Sequence, residues 1–131
     1  MKNLFIYLFT ITLFCSCDID YCSVYIIKNS TNKKLKLYLK NKVIELNKTY
    51  ILQNEKCTLG GIPPLDISEY DSIYITDINN VVLITYKPNI FHDEDPNCKE
   101  KNIYNYSCWF NEEISNDNYE NTFEIKNDDL E

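Results

Sequence analysis

Ser72-Ile73-Tyr74-Ile75-Thr76 and Val81-Val82-Leu83-Ile84-Thr85-Tyr86, joined by Asp77-Ile78-Asn79-Asn80, decide the fold class. Both flanking runs are β-branched and aromatic, the composition that suits a pleated, half-buried surface. The joint between them is Asp and Asn turn chemistry, so the segment reads as a β-hairpin. Upstream, Leu35, Leu37 and Leu39 alternate with Lys34, Lys36, Tyr38 and Lys40, a period of two that marks a half-buried strand. Ser23 to Lys28 is a further strand, stopped by Asn29-Ser30-Thr31-Asn32. Asn41-Lys42 turns the chain, and Val43 to Leu46 and Thr49 to Leu52 follow as one interrupted strand or two short ones.

Gly60-Gly61-Ile62-Pro63-Pro64 continues neither a helix nor an interior strand and marks a loop at mid-chain. Ile103 to Phe110 reads as another strand. Asn111 to Asp117, with an Asn cap and first-turn acids, reads as one helical turn. Thr122 to Lys126 alternates as the last strand, and Asp128 to Glu131 as a frayed end. No window shows sustained helical spacing of apolar residues. Seven or eight short strands at regular spacing predict an all-β protein, a small antiparallel β-sandwich of immunoglobulin type, over residues 23–131.

Composition narrows the function. The chain has 131 residues, 44 % hydrophobic and 25 % charged, enough to bury a core. Its 13 cations are all Lys, against 20 acids, a net charge of −7. Such a balance excludes a basic nucleic-acid binder, and with no Arg there is no guanidinium fork for phosphate. Two glycines leave no room for a Gly-rich phosphate loop. Charge is also segregated: Lys dominates residues 21–56 and acids dominate 57–131. The halves either neutralise each other across the sheets or leave an acidic face for a cationic partner.

The first residues set the compartment. Lys2 precedes an uncharged run, Leu4 to Phe14, too short for the ~20 residues of a spanning helix. A positive start, a short apolar stretch and a small residue describe a secretory signal, here a helix within residues 1–16. Leu13-Phe14-Cys15-Ser16-Cys17 resembles the lipobox of bacterial lipoproteins, with Ser16 before the cleavage point and Cys17 as the lipidated residue. Phe14 and Cys15 stand where that pattern carries aliphatic and small residues. Asp18 and Asp20 sit where acids resemble retention or surface-export signals in such proteins.

With the strand texts Asp71-Ser72-Ile73-Tyr74-Ile75 and Phe123-Glu124-Ile125-Lys126-Asn127-Asp128-Asp129-Leu130, the chain resembles the small lipoproteins of Bacteroidetes. The resemblance implies acyl chains (palmitate among them) on Cys17, residues 17–22 as lipidated start and tether, and a place at the bacterial outer membrane or cell surface. Two or three acyl chains, at ~0.8 kcal/mol per buried methylene, hold a small domain stably where one does not.

Of the six cysteines, Cys15 leaves with the signal and Cys17 carries lipid, so four remain for an oxidising compartment. Four cysteines allow three pairings; the favoured one joins Cys98 to Cys108, closing a short polar loop with no other means of packing, and Cys22 to Cys57 in consequence. Zinc is disfavoured, because no C-x-x-C occurs.

Candidate ligand sites are few. His92-Asp93-Glu94-Asp95-Pro96-Asn97 opens like a calcium loop, making Asp93, Asp95 and Asn97 candidate ligands. Cys98 and Tyr104 then stand where an EF-hand needs Gly and a bidentate Glu, so a solvated acidic loop is the simpler reading. Tyr104, Tyr106 and Trp109 form a candidate aromatic patch for sugar or protein, although Trp109 beside Cys108 fits a core position better. Asp71-Ser72-Ile73 resembles the O-glycosylation motif of exported Bacteroidetes proteins, which makes Ser72 its acceptor. No nucleophile motif occurs, one His has no base partner, and carboxylate pairs arise by chance among this many acids.

The expectation is therefore a non-enzymatic, cofactor-free, lipid-anchored envelope protein that binds an envelope protein or glycan. The alternatives are a secreted protein-binding effector or inhibitor and a calcium-assisted glycan-binding module.

Overall fold

The computed structural model describes residues 20–88 and 96–131, and within them eight strands form two four-stranded sheets. In chain order these are β1 (Asp20–Asn29), β2 (Leu35–Leu39), β3 (Lys42–Leu46), β4 (Thr49–Leu59), β5 (Ile73–Thr76), β6 (Val82–Tyr86), β7 (Phe110–Ser115) and β8 (Asn118–Ile125). One sheet has the order β4-β1-β8-β7 and the other β3-β2-β5-β6. Alternation places Tyr25, Ile27, Phe123 and Ile125 of the first sheet in one core with Leu35, Leu37, Leu39, Leu46, Ile73 and Ile75 of the second.

The predicted all-β sandwich is present, and so is the β5–β6 hairpin. Asp77 Oδ1 accepts the amide protons of Asn79 and Val81 at 2.8 and 2.9 Å, and Asn80 takes the left-handed conformation the turn requires (φ 65°). The β2–β3 connection is the two-residue turn Lys40-Asn41, since Leu39 pairs with Lys42, and Lys40 adopts φ 50°.

Several local expectations are corrected. The sandwich is not wholly antiparallel: β1 and β8 pair in parallel from Cys22↔Asn118 to Asn29↔Ile125. First and last strands are free to pair this way, because the whole intervening chain serves as the crossover. Nor is the strand order that of an immunoglobulin domain, where the first two strands share a sheet; here they lie in opposite sheets. Residues 20–22, expected in a tether, already belong to β1.

Asn111 to Asp117 is not a helical turn. Residues 111–115 belong to the edge strand β7, where Asn111 Nδ2 donates to Asn121 Oδ1 at 2.7 Å. A segment with no apolar stripe gains little from helix formation and more from a strand partner. Residues 103–109, expected as strand, form turns and a 3₁₀ segment, Tyr106–Cys108, capped by Asn105. The C-terminal residues are not frayed: Asn127–Leu130 is a 3₁₀ turn held by the Lys101–Asp129 ion pair at 2.5 Å.

The basic and acidic parts of the chain meet where β1 lies beside β8. Glu124 accepts from Ser30 Oγ at 2.5 Å and pairs with Lys28 and Lys126 at 3.2 and 3.4 Å. The Ser30 hydroxyl first, and then the Lys28 ammonium, hold its carboxyl at about 2.

Asn29 joins the two sheets. Its Nδ2 donates to the Lys33 and Leu46 carbonyls at 3.0 and 2.9 Å, while its Oδ1 accepts from the Thr31 amide and hydroxyl at 3.0 and 2.7 Å. The residue is buried, so every one of these bonds replaces one to water. Asn29→Asp keeps the acceptor and turns the donor into a carboxylate oxygen facing two carbonyls. Urea unfolding is expected to show a loss of about 2 kcal/mol or more, whereas an unchanged midpoint would remove Asn29 as the link.

Candidate functional site

Two loops carry the candidate site: residues 60–72, between β4 and β5, and residues 96–109, between β6 and β7. The first is fixed over the inner face of β1. Ser23 Oγ and Tyr25 Oη both donate to the Pro63 carbonyl, at 3.1 and 2.8 Å, and Gln53 Oε1 accepts the Asp66 amide at 2.9 Å. At Gly60 the chain turns with φ 81°, where a side chain would be strained.

The second loop is held by Cys98–Cys108 and by its aromatic side chains. Tyr104 Oη donates to the Tyr70 carbonyl at 2.7 Å. Tyr106 Oη lies 2.8 Å from Tyr25 Oη and accepts the Leu65 amide. Tyr106 thus pins both loops to the core while remaining 49 % exposed. Burial, and then its hydrogen bond to Tyr106, raises Tyr25 above the usual tyrosine range. Burial, and then the nearby Asp71 carboxylate, pushes Tyr104 up to about 12.

Between the loops lies an open cleft of about 750 Å³, lined by Leu65, Ile67, Tyr104 and Tyr106 with the polar groups of Asp66 and Ser68. Apolar walls with a few placed oxygens suit a ring-bearing or peptide ligand. The described residues hold no cluster of three His, Cys, Asp or Glu fit for a metal ion.

The predicted residues separate in space. Tyr104 and Tyr106 line the cleft, whereas Trp109 is 8 % exposed within the core and meets Tyr106 only along a smaller neighbouring pocket with Ile62 and Pro64. Its ring meets Tyr25 and Phe123 at centroid distances of 5.4 Å, and its Nε1 donates to the Ile103 carbonyl at 2.9 Å. A large ring with one donor is satisfied best in that setting. Ser72 is half-buried immediately before β5, with Asp71 exposed beside it. Asn97 is exposed; Asp93, Asp95 and the lipidation candidate Cys17 lie outside the described residues.

Cys22 and Cys57 are directly opposed on β1 and β4 and bridged, with Cα atoms 4.0 Å apart. Cys98 and Cys108 are bridged with Cα atoms 5.0 Å apart. Both predicted pairings are therefore present, and both fit an oxidising environment. Leu65, Asp66, Ile67 and Ser68 line the cleft without any local sequence signal for that role. Pro63-Pro64 signalled a loop there, with nothing to show where it would lie.

Tyr106→Phe retains the ring but removes the oxygen shared by Tyr25 and Leu65. Thermal or urea unfolding is expected to show a loss of about 1–2 kcal/mol, with faster amide exchange at Leu65. Unaltered exchange there would mean that the hydroxyl does not hold the loop.

No family model matches the chain, and no curated protein or solved structure matches it either.

Proposed function

We propose that this is a non-catalytic binding domain of the bacterial cell envelope, tethered outside the cytosol by acyl chains on Cys17. The observation that carries the reading is the pair of disulfides. Cys22–Cys57 and Cys98–Cys108 use four of the six cysteines within the described fold, leaving Cys15 and Cys17 of the signal-like segment. Each closure stabilises a small domain by about 3 kcal/mol where thiols oxidise. The lipobox-like residues up to Cys17 add the anchor, because the acyl chains of a thioether-linked diacylglycerol give durable membrane residence. The cleft beside Tyr104 and Tyr106 supplies a place for a ligand.

A second reading, glycan binding, is favoured by that cleft, where aromatic rings stand beside the oxygens of Asp66 and Ser68. Sugars present apolar ring faces edged by hydroxyls, and such a surface answers both.

Cys17→Ser in the full chain, expressed in an envelope-bearing bacterium, separates the anchored reading from a secreted effector or inhibitor. Wild type is expected in the membrane fraction, labelled by palmitate and released only by detergent. The variant is expected unlabelled and soluble. Wild-type protein released without detergent would favour the secreted alternative.

A further inference from the structure

One end of the first sheet is defined by the start of β1. Asp20 pairs with Leu59, the last residue of β4, and β8 begins with Asn118 beside Cys22. The Cys22 amide donates to the Asp117 carbonyl at 2.8 Å, which brings the β7–β8 turn to the same end. This end is apolar at its rim. Leu59 is 65 % exposed and Ile62, just past the Gly60-Gly61 turn, is 40 % exposed. Tyr21 and Tyr119 stack nearby, with ring centroids 6.4 Å apart. At the other end of the same sheet the described β1–β2, β3–β4 and post-β8 connections carry Ser30, Asn32, Lys33, Lys34, Lys48 and Lys126, and none of their described residues is an exposed large apolar side chain.

Chain length says what covers the apolar end. Only Asp18 and Ile19 separate Cys17 from Asp20. Three Cα–Cα steps span at most about 11 Å, only a few ångströms more than the roughly 5–8 Å of headgroup layer on one side of a bilayer. A lipidated Cys17 therefore keeps Asp20, and Leu59 paired beside it, within a few ångströms of the headgroup layer even when the connecting residues are fully extended. We infer that the end of the sandwich bearing Leu59 and Ile62 rests in the lipid headgroup layer as a second contact, orienting the domain with its lysine-bearing end outward. The inference rests on acylation of Cys17. Leu59 and Ile62 enter the apolar boundary, while Tyr21 and Tyr119 sit at headgroup level, where amphipathic rings are favoured. Asp20 and Asp117 flank the contact, so a zwitterionic surface suits it better than an anionic one.

The test is hydroxyl-radical footprinting of the full-length acylated protein on phosphatidylcholine vesicles, with the soluble Cys17→Ser form as reference. Flotation and intact mass establish acylation first; a chain that carries no acyl group overturns the anchored reading and this inference with it. On acylated, vesicle-bound protein, side-chain oxidation at Leu59 and Ile62 is expected to fall several-fold. Ile51 and Phe110 serve as controls. They are 51 % and 66 % exposed and lie in the Ile26 row, about 20 Å along the strands from Asp20, and are expected to label as in solution. Replacing a fifth of the lipid by phosphatidylglycerol is expected to weaken the protection. A Leu59→Ser/Ile62→Ser variant, altered only at exposed positions, should still float but lose protection at Tyr21 and Tyr119. Equal labelling of Leu59 and Ile62 on and off vesicles would overturn the inference while leaving the anchor intact. Protection already present in the Cys17→Ser form would assign the patch to a second copy of the chain and overturn it as well.

Discussion

The double pairing of β1 is the constraint on which the rest of the structure depends. This strand lies between β4 and β8, and its inward residues carry much of the architecture. Tyr25 stands edge-on to Trp109 and hydrogen-bonds Pro63 and Tyr106. Asn29 reaches across to Leu46 in the opposite sheet. The outward Cys22 is bridged to Cys57. Central position makes such a strand costly to disturb, because each inward side chain serves two or more elements at once.

The same strand links the fold to its proposed setting. Its first residue is three positions beyond Cys17, so the proposed lipid on that cysteine would set not only where the domain resides but which end faces the bilayer. A long flexible tether would decouple the two. The cleft of Tyr104 and Tyr106 is built by loops that the β1 tyrosine holds in place, so the proposed ligand site and core integrity share the Tyr25–Tyr106 contact. Exposed binding residues supported by buried hydrogen bonds lose less entropy when a ligand arrives.

Much of the fold was legible because its signals are local. Leu35, Leu37 and Leu39 alternate, and Asp77 with Asn80 closes a hairpin between adjacent β-branched runs; neither feature needs information from a distant part of the chain. Cys98 and Cys108 were legible for the same reason, being close in sequence around a polar loop. The parallel β1–β8 pairing was not legible, since its partners are the first and last strands and carry no turn between them. The β7 error has a related cause. Asn111, Glu112 and Glu113 carry helix-start chemistry, but β8 offers a ladder of backbone partners that outweighs it. In the candidate site, Tyr104 and Tyr106 stood out by residue type, whereas Leu65 to Ser68 became lining residues only through the hydrogen bonds that lay their loop over β1. Trp109 illustrates the limit of composition: the same ring serves a surface patch or a core, and the Ile103 carbonyl that satisfies its N–H is a matter of tertiary position.

The proposal that this doubly disulfide-bonded domain is held at the envelope through Cys17 is tested most directly by the intact mass of the native mature chain, measured with and without reduction. The expected species begins at Cys17, carries a diacylglycerol thioether with or without an N-terminal acyl group, and gains the mass of four hydrogens on reduction. A chain that retains Met1, carries no acyl mass and shows no change on reduction would contradict the anchor, the cross-links and the envelope role together.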